Sequence, residues 1–107
     1  MTIGTYPVGA ELPDWPHAFY DRDGAIIDMS TGWTFQVTIG ADLDNPTVTK
    51  TSGIAGADGT LGYSVLTAWA TTGELDQLTR GTYQVALRAR RTSDSKDRIY
   101  LDGITIT

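Results

Sequence analysis

In "WTFQVTI", residues 33–39, apolar side chains take every second position: Trp33, Phe35, Val37 and Ile39, with Thr34, Gln36 and Thr38 between them. Strict period two sends alternate side chains to opposite faces and predicts a half-buried β-strand. "TYQVALRAR" repeats the pattern, with Tyr83, Val85, Leu87 and Ala89 inward and Gln84, Arg88 and Arg90 outward. Between them, "TLGYSVLTAW" sets Leu61, Tyr63, Val65 and Trp69 on one face. "HAFYD", "AIIDM" and "TVTKTS" read as weaker strands, and prolines at 7, 13, 16 and 46 punctuate edges and linkers.

The last apolar run, "RIYLDGITIT", breaks its own parity. Ile99 and Leu101 are odd-numbered, whereas Ile104 and Ile106 are even-numbered. A one-residue slip turns every side chain over, so both pairs face inward only if one residue is inserted. The expectation is a β-bulge or sharp bend at Asp102–Gly103, where glycine tolerates unusual backbone angles. Otherwise two large apolar side chains are left outside.

One segment reads as helix. "TTGELDQLTRG" offers Thr71 as N-cap and Glu74 three residues on, with Leu75 and Leu78 on one side and Gly81 as terminator. Two turns cannot persist alone, so this helix is expected as a connector packed across one end through its leucines. The whole predicts an all-β fold: an antiparallel β-sandwich of about seven strands with one short connecting helix. Residues 1–16 are expected as an N-terminal arm or linker, and 17–107 as the domain.

Composition narrows the function. The chain has 107 residues, near the commonest domain size, and buries roughly two thirds of its unfolded surface. A net charge of −5 argues against non-specific nucleic-acid binding and against docking on anionic membranes. The absence of cysteine excludes disulfides, thiolate catalysis and cysteine-ligated zinc. No run has signal-peptide or membrane-span character, so synthesis in a cytoplasm is expected.

"DRDG", residues 21–24, admits three readings. As a calcium loop with Asp21, Asp23 and Asp28 it fails the EF-hand pattern, because positions six and twelve hold Ile26 and Gly32. As an acid–base pair, Asp21 and Asp23 lack a nucleophile, a histidine partner or an anion-binding loop. As a hairpin turn, Asp-Gly between strand residues needs no ligand, and that is the reading adopted. His17, the only histidine, is expected as a strand-start residue, and Asp42, Asp44 and Asn45 as a solvated loop before Pro46. Trp33 and Trp69 are expected in the core, which leaves Trp15 as the one exposed candidate for stacking a sugar. No catalytic residue, metal ligand or cofactor site is assigned.

Five of the eight lysines and arginines lie between residues 88 and 98: Arg88, Arg90, Arg91, Lys96 and Arg98. One register sets Arg88 opposite Asp102 and Arg90 opposite Tyr100; a shift of two sets Arg90 against Arg98. The cluster is then either a self-satisfied hairpin face or a positive stripe that docks a neighbour, with Arg88, Arg90, Arg91, Arg98 and Tyr100 as its residues.

"DRDGAIIDMSTGWTFQVTI", "ADGTLGYSVLTAW" and "LTRGTYQVALRARRTSDSKDRIYLDGITIT" together resemble the small Ig-like minor tail proteins of actinobacterial phages. More remotely they resemble the N-terminal domains of phage baseplate upper proteins. The resemblance covers residue 17 to the end. It implies an Ig-like sandwich, and a structural virion protein at the tail tip or baseplate that is not an enzyme. It implies contacts with other tail proteins and a homo-oligomer of three or six copies in the particle. The alternatives are a carbohydrate- or host-receptor-binding module and a capsid decoration protein.

Overall fold

The computed structural model describes residues 2–8, 12–69 and 78–107. Among them the protein is all-β, with eight strands in two sheets: β1 (Thr2–Tyr6), β2 (Trp15–His17), β3 (Trp33–Gly40), β4 (Val48–Lys50), β5 (Ile54–Gly56), β6 (Val65–Thr67), β7 (Gly81–Arg91) and β8 (Asp97–Ile106). The larger sheet has the order β1-β8-β7-β3-β4 and the smaller β2-β6-β5. All pairings are antiparallel except β1 with β8, which is parallel.

The two clearest alternations become the two central strands of the larger sheet. β3 turns Val37 and Ile39 into the core, and β7 contributes Val85, Leu87 and Ala89. From the smaller sheet Val65 meets them, joined by Met29 and Leu78 from the connections. Lys50 is buried among these side chains, with its ammonium 4.9 Å from the Trp69 ring centre, where the ring's negative face attracts a cation.

Several expectations are corrected. Leu61 does not share the inward face of Val65; it is 74% exposed, because the β6 strand begins only at Val65. Within the segment expected as an arm, Thr2–Tyr6 pair along β8 as β1 and Trp15 opens β2 beside β6. Pro16 is tolerated because β2 is an edge strand, where a missing N–H breaks no ladder. Ile54–Gly56 is a strand the alternation did not announce. The expected helix falls largely on residues 70–77, outside the described residues; within its C-terminal part, Leu78 is buried and Gly81 already begins β7.

The expected bulge in the last strand is absent from the β7–β8 ladder, which keeps one register from Gly81–Ile106 to Arg90–Asp97. Parity along β8 therefore cannot change. Tyr100, Asp102, Ile104 and Ile106 face inward, and Ile99 and Leu101 stay outside at 51% and 65% exposure. The register shift lies instead on the other edge of β8, where β1 carries the extra residue between Thr2 and Gly4. Ten ladder pairs to β7 outweigh the burial of two side chains, so the irregularity moves to the short edge strand.

The Asp-Gly turn forms as expected, but "HAFYD" and "AIIDM" do not become strands on either side of it; a single bridge holds them. Tyr20 and Ile26 pair, Asp21 N–H donates to Ala25 O, and Gly24 takes a positive φ of 85° at the bend. The Asp21 carboxylate accepts the N–H groups of Asp23 and Ala25 at 2.9 and 3.0 Å. Asp28, Asp42, Asp58 and Asp94 likewise each accept an N–H two residues on, which is how aspartate stabilises a turn.

At the entry to β7, Tyr83 O–H donates to Thr79 O at 2.8 Å, tying the strand to the connection before it. Tyr83→Phe keeps the ring and removes that bond. The expected cost is about 1 kcal/mol, read from the urea midpoint at unchanged slope.

Candidate docking face and inter-sheet cleft

The outer face of the larger sheet follows from the β7–β8 register. Outward pairs run Thr82–Thr105, Gln84–Gly103, Ala86–Leu101, Arg88–Ile99 and Arg90–Asp97. β3 and β4 add Thr34, Gln36, Thr38 and Thr49. Most of this face carries hydroxyls and amides, and Ile99 and Leu101 stand out against it. Leu43, from the loop after β3, joins them around a shallow depression that Ala86 and Arg88 also line. Isolated exposed leucines are ordinary; here Ile99 and Leu101 share one depression with Leu43, so the exposed apolar groups are adjacent.

Neither register weighed from the sequence is the one adopted. Arg90 stands opposite Asp97 and holds it with two bonds, Nε to Oδ1 at 2.7 Å and Nη2 to Oδ2 at 3.1 Å. That bond chiefly pulls the Asp97 carboxyl below the usual range. Arg91 leans over the Trp33 ring and grips Asp94, whose pKa falls to about 2, mainly through the Arg91 hydrogen bond. Arg88 is the less engaged guanidinium, 3.8 Å from Asp97.

The five residues of the proposed stripe are therefore divided. Arg88 and Arg90 belong to the outer face. Arg91 and Arg98 stand opposite Trp33 and Ala89, on the parity of the inner face near the hairpin tip. Tyr100 is also on the inner side, and its aromatic partner is His17 rather than Arg90, with ring centres 3.9 Å apart and planes 22° from parallel.

That stack borders a cleft of about 380 Å³ between the sheets, lined by Tyr6, Trp15, His17, Val85, Tyr100 and Asp102 among others. Tyr100 O–H donates to Asp102 Oδ2, and Gly103 N–H donates to Oδ1 at 2.8 Å. Burial, then the neighbouring Asp102, pushes the Tyr100 phenol up to about 12, so it stays a donor. Burial lowers the His17 pKa, partly offset by the Asp102 charge. His17 was expected to start a strand and instead closes β2; the stacking was invisible because it joins residues eighty-three positions apart.

Because the His17 pKa is depressed in the folded state, the folded chain binds fewer protons there than the unfolded chain just below pH 6.5. Its contribution is complete above about pH 6.5 and is lost as pH falls through the folded pKa. Thermal midpoints measured from pH 7.5 to 5 are expected to fall for the native chain and to fall less steeply for His17→Gln. Equal slopes would remove His17 from the pH response.

Trp15, the candidate sugar platform, is half-buried, and its ring meets Trp69 edge-on at 4.6 Å. None of the three tryptophans is fully exposed. Among the described residues, no three histidine, aspartate or glutamate side chains cluster as metal ligands.

Comparison with protein-family models, curated proteins and solved structures found no match to this chain.

Proposed function

We infer that the chain is an Ig-like structural virion protein, a minor component of a phage tail tip or baseplate that works by protein–protein contact and not by catalysis. Topology supports the Ig-like part of this reading. The smaller sheet has the β2-β6-β5 order of the B, E and D strands of an immunoglobulin fold, and β3, β7 and β8 take the places of C, F and G. Tyr83, near the start of the F-like strand and bonded back to Thr79 O, matches the tyrosine corner of such sandwiches. The sequence motifs quoted above point the same way.

The observation that carries the contact function is the outer face of the larger sheet, where Ile99 and Leu101 are presented to solvent on a strand paired on both sides. Three or six copies per particle follow from the rotational symmetry of tails. Antibody raised against the chain and applied to purified particles whose genome encodes it tests the assignment. Label at one end of the tail is expected. Particles that lack the protein would sink the reading, and label over the head would make it a capsid decoration protein.

A further inference from the structure

We propose that the partner on the outer face of the larger sheet is a second copy of the same chain, packed face to face about a two-fold axis. The inference rests on reading that face as a docking surface, and it adds the identity of the occupant. Its basis is the order of side chains along the ladder. Ala86 and Leu101 stand opposite each other in the middle, with Leu43 beside them. Towards the Thr34 end of β3 come Arg88 and the Arg90–Asp97 ion pair, which leaves one net positive charge there; at the Gly40 end the following loop brings Asp44 to the rim of the same depression.

A face that is apolar in the centre, basic on one side and acidic on the other complements itself only when the second copy is turned around. A two-fold axis through the Ala86–Leu101 region sets Leu101 against its own counterpart. The same operation brings Arg88 of each copy towards Asp44 of the other. An isologous contact of this kind uses each pairing twice. Arg88 is suited to it, since its nearest carboxylate in its own chain, Asp97, lies 3.8 Å away and is already held by Arg90. Asp44 is exposed and uses its backbone N–H, not its carboxylate, in the Asp42 turn.

Size sets the strength. Strand spacing and rise give a face of roughly 19 by 25 Å, about 500 Å² per copy before side-chain relief. Two copies then bury on the order of 1,000 Å², at the lower limit for a specific contact. Association is therefore weak, reversible and dependent on concentration. A pairwise contact fits six copies arranged as three pairs and does not fit three copies.

The experiment is light scattering and sedimentation of the full chain over roughly 1 µM to 1 mM, in low salt and again in high salt. Mass is expected to rise towards twice the monomer, with salt weakening the association. Arg88→Glu alone and Asp44→Lys alone are each expected to weaken it at least tenfold, because each sets like charges together. The double variant R88E/D44K restores complementarity and is expected to return to within about threefold of the native chain. Leu101→Asp is expected to be monomeric throughout, and circular dichroism checks that every variant is folded. A chain that stays monomeric at 1 mM overturns the proposal, as does a dimer indifferent to both single charge reversals. Particle labelling that still places the monomeric chain in the tail would leave the docking reading standing and assign the face to a different protein.

Discussion

Replacing Gly56 with alanine is expected to destabilise the fold by about 3 kcal/mol or more, lowering the thermal midpoint by roughly 15 °C. Gly56 lies on β5 opposite Val65, and the backbone of Met29 crosses directly over it. A Cβ there would sit 1.8 Å from the Met29 carbonyl oxygen and 3.2 Å from Cζ of Phe35. A flexible side chain can turn away from such an intruder; a backbone carbonyl cannot. Met29 itself is anchored, since its N–H donates to Ala57 O at 2.9 Å and its side chain is fully buried. The segment must therefore lift off the sheet and take Met29 out of the core. Chemical denaturation of the variant measures the loss. A change below about 1 kcal/mol would mean that residues 28–30 do not rest on β5.

Ile104→Ala and Leu101→Ala are expected to differ sharply although the residues lie three apart on one strand. Ile104 is completely enclosed, so its truncation should cost about 2–4 kcal/mol in transfer and cavity terms. Leu101 is 65% exposed, and its truncation should stay within about 0.5 kcal/mol of zero in the dilute monomer. Urea titration of both variants at low concentration decides the matter. Equal and large losses would mean that Leu101 is also enclosed, as an inserted residue at Asp102–Gly103 would require.

This pair marks where the sequence stops being legible. The apolar pattern of β8 has two solutions, a bulge that hides all four side chains or a straight ladder that exposes two. Choosing between them requires the register with β7, which no local pattern contains. β3 and β7 were readable because seven or more alternating residues admit one solution. Strands of three residues, such as β2 and β5, carry too little period to announce themselves and exist through pairing to β6. The same limit applied to the candidate site. The exposed arginines of β7 were evident, but their partner Asp97 and the separation of Tyr100 onto the inner side follow from register alone. The signal available was the parity break itself, read as exposure.

Ser64 shows how a short strand is extended without lengthening its ladder. β2 ends at His17, yet Ser64 N–H reaches His17 O, and its hydroxyl lies 3.1 Å from Phe19 N and 3.3 Å from Phe19 O. One fully buried side chain thus replaces a backbone pairing that β6 does not supply, and Phe19 is carried into the core.

The parallel pairing of β1 with β8 also determines how the domain bears load. Both strands run the same way, from Thr2 beside Gly103 to Tyr6 beside Ile106. Tension that pulls the chain before β1 and the chain after β8 in opposite directions acts along these strands, across their hydrogen bonds. The bonds are then strained together in shear and none can open alone, as they would if the strands were peeled from one end. Val8 N–H to Thr107 O and Thr107 N–H to Tyr6 O extend the clamp past the ladder's end. A domain connected at those two points transmits pulling force through its largest sheet and keeps its core closed while it does so.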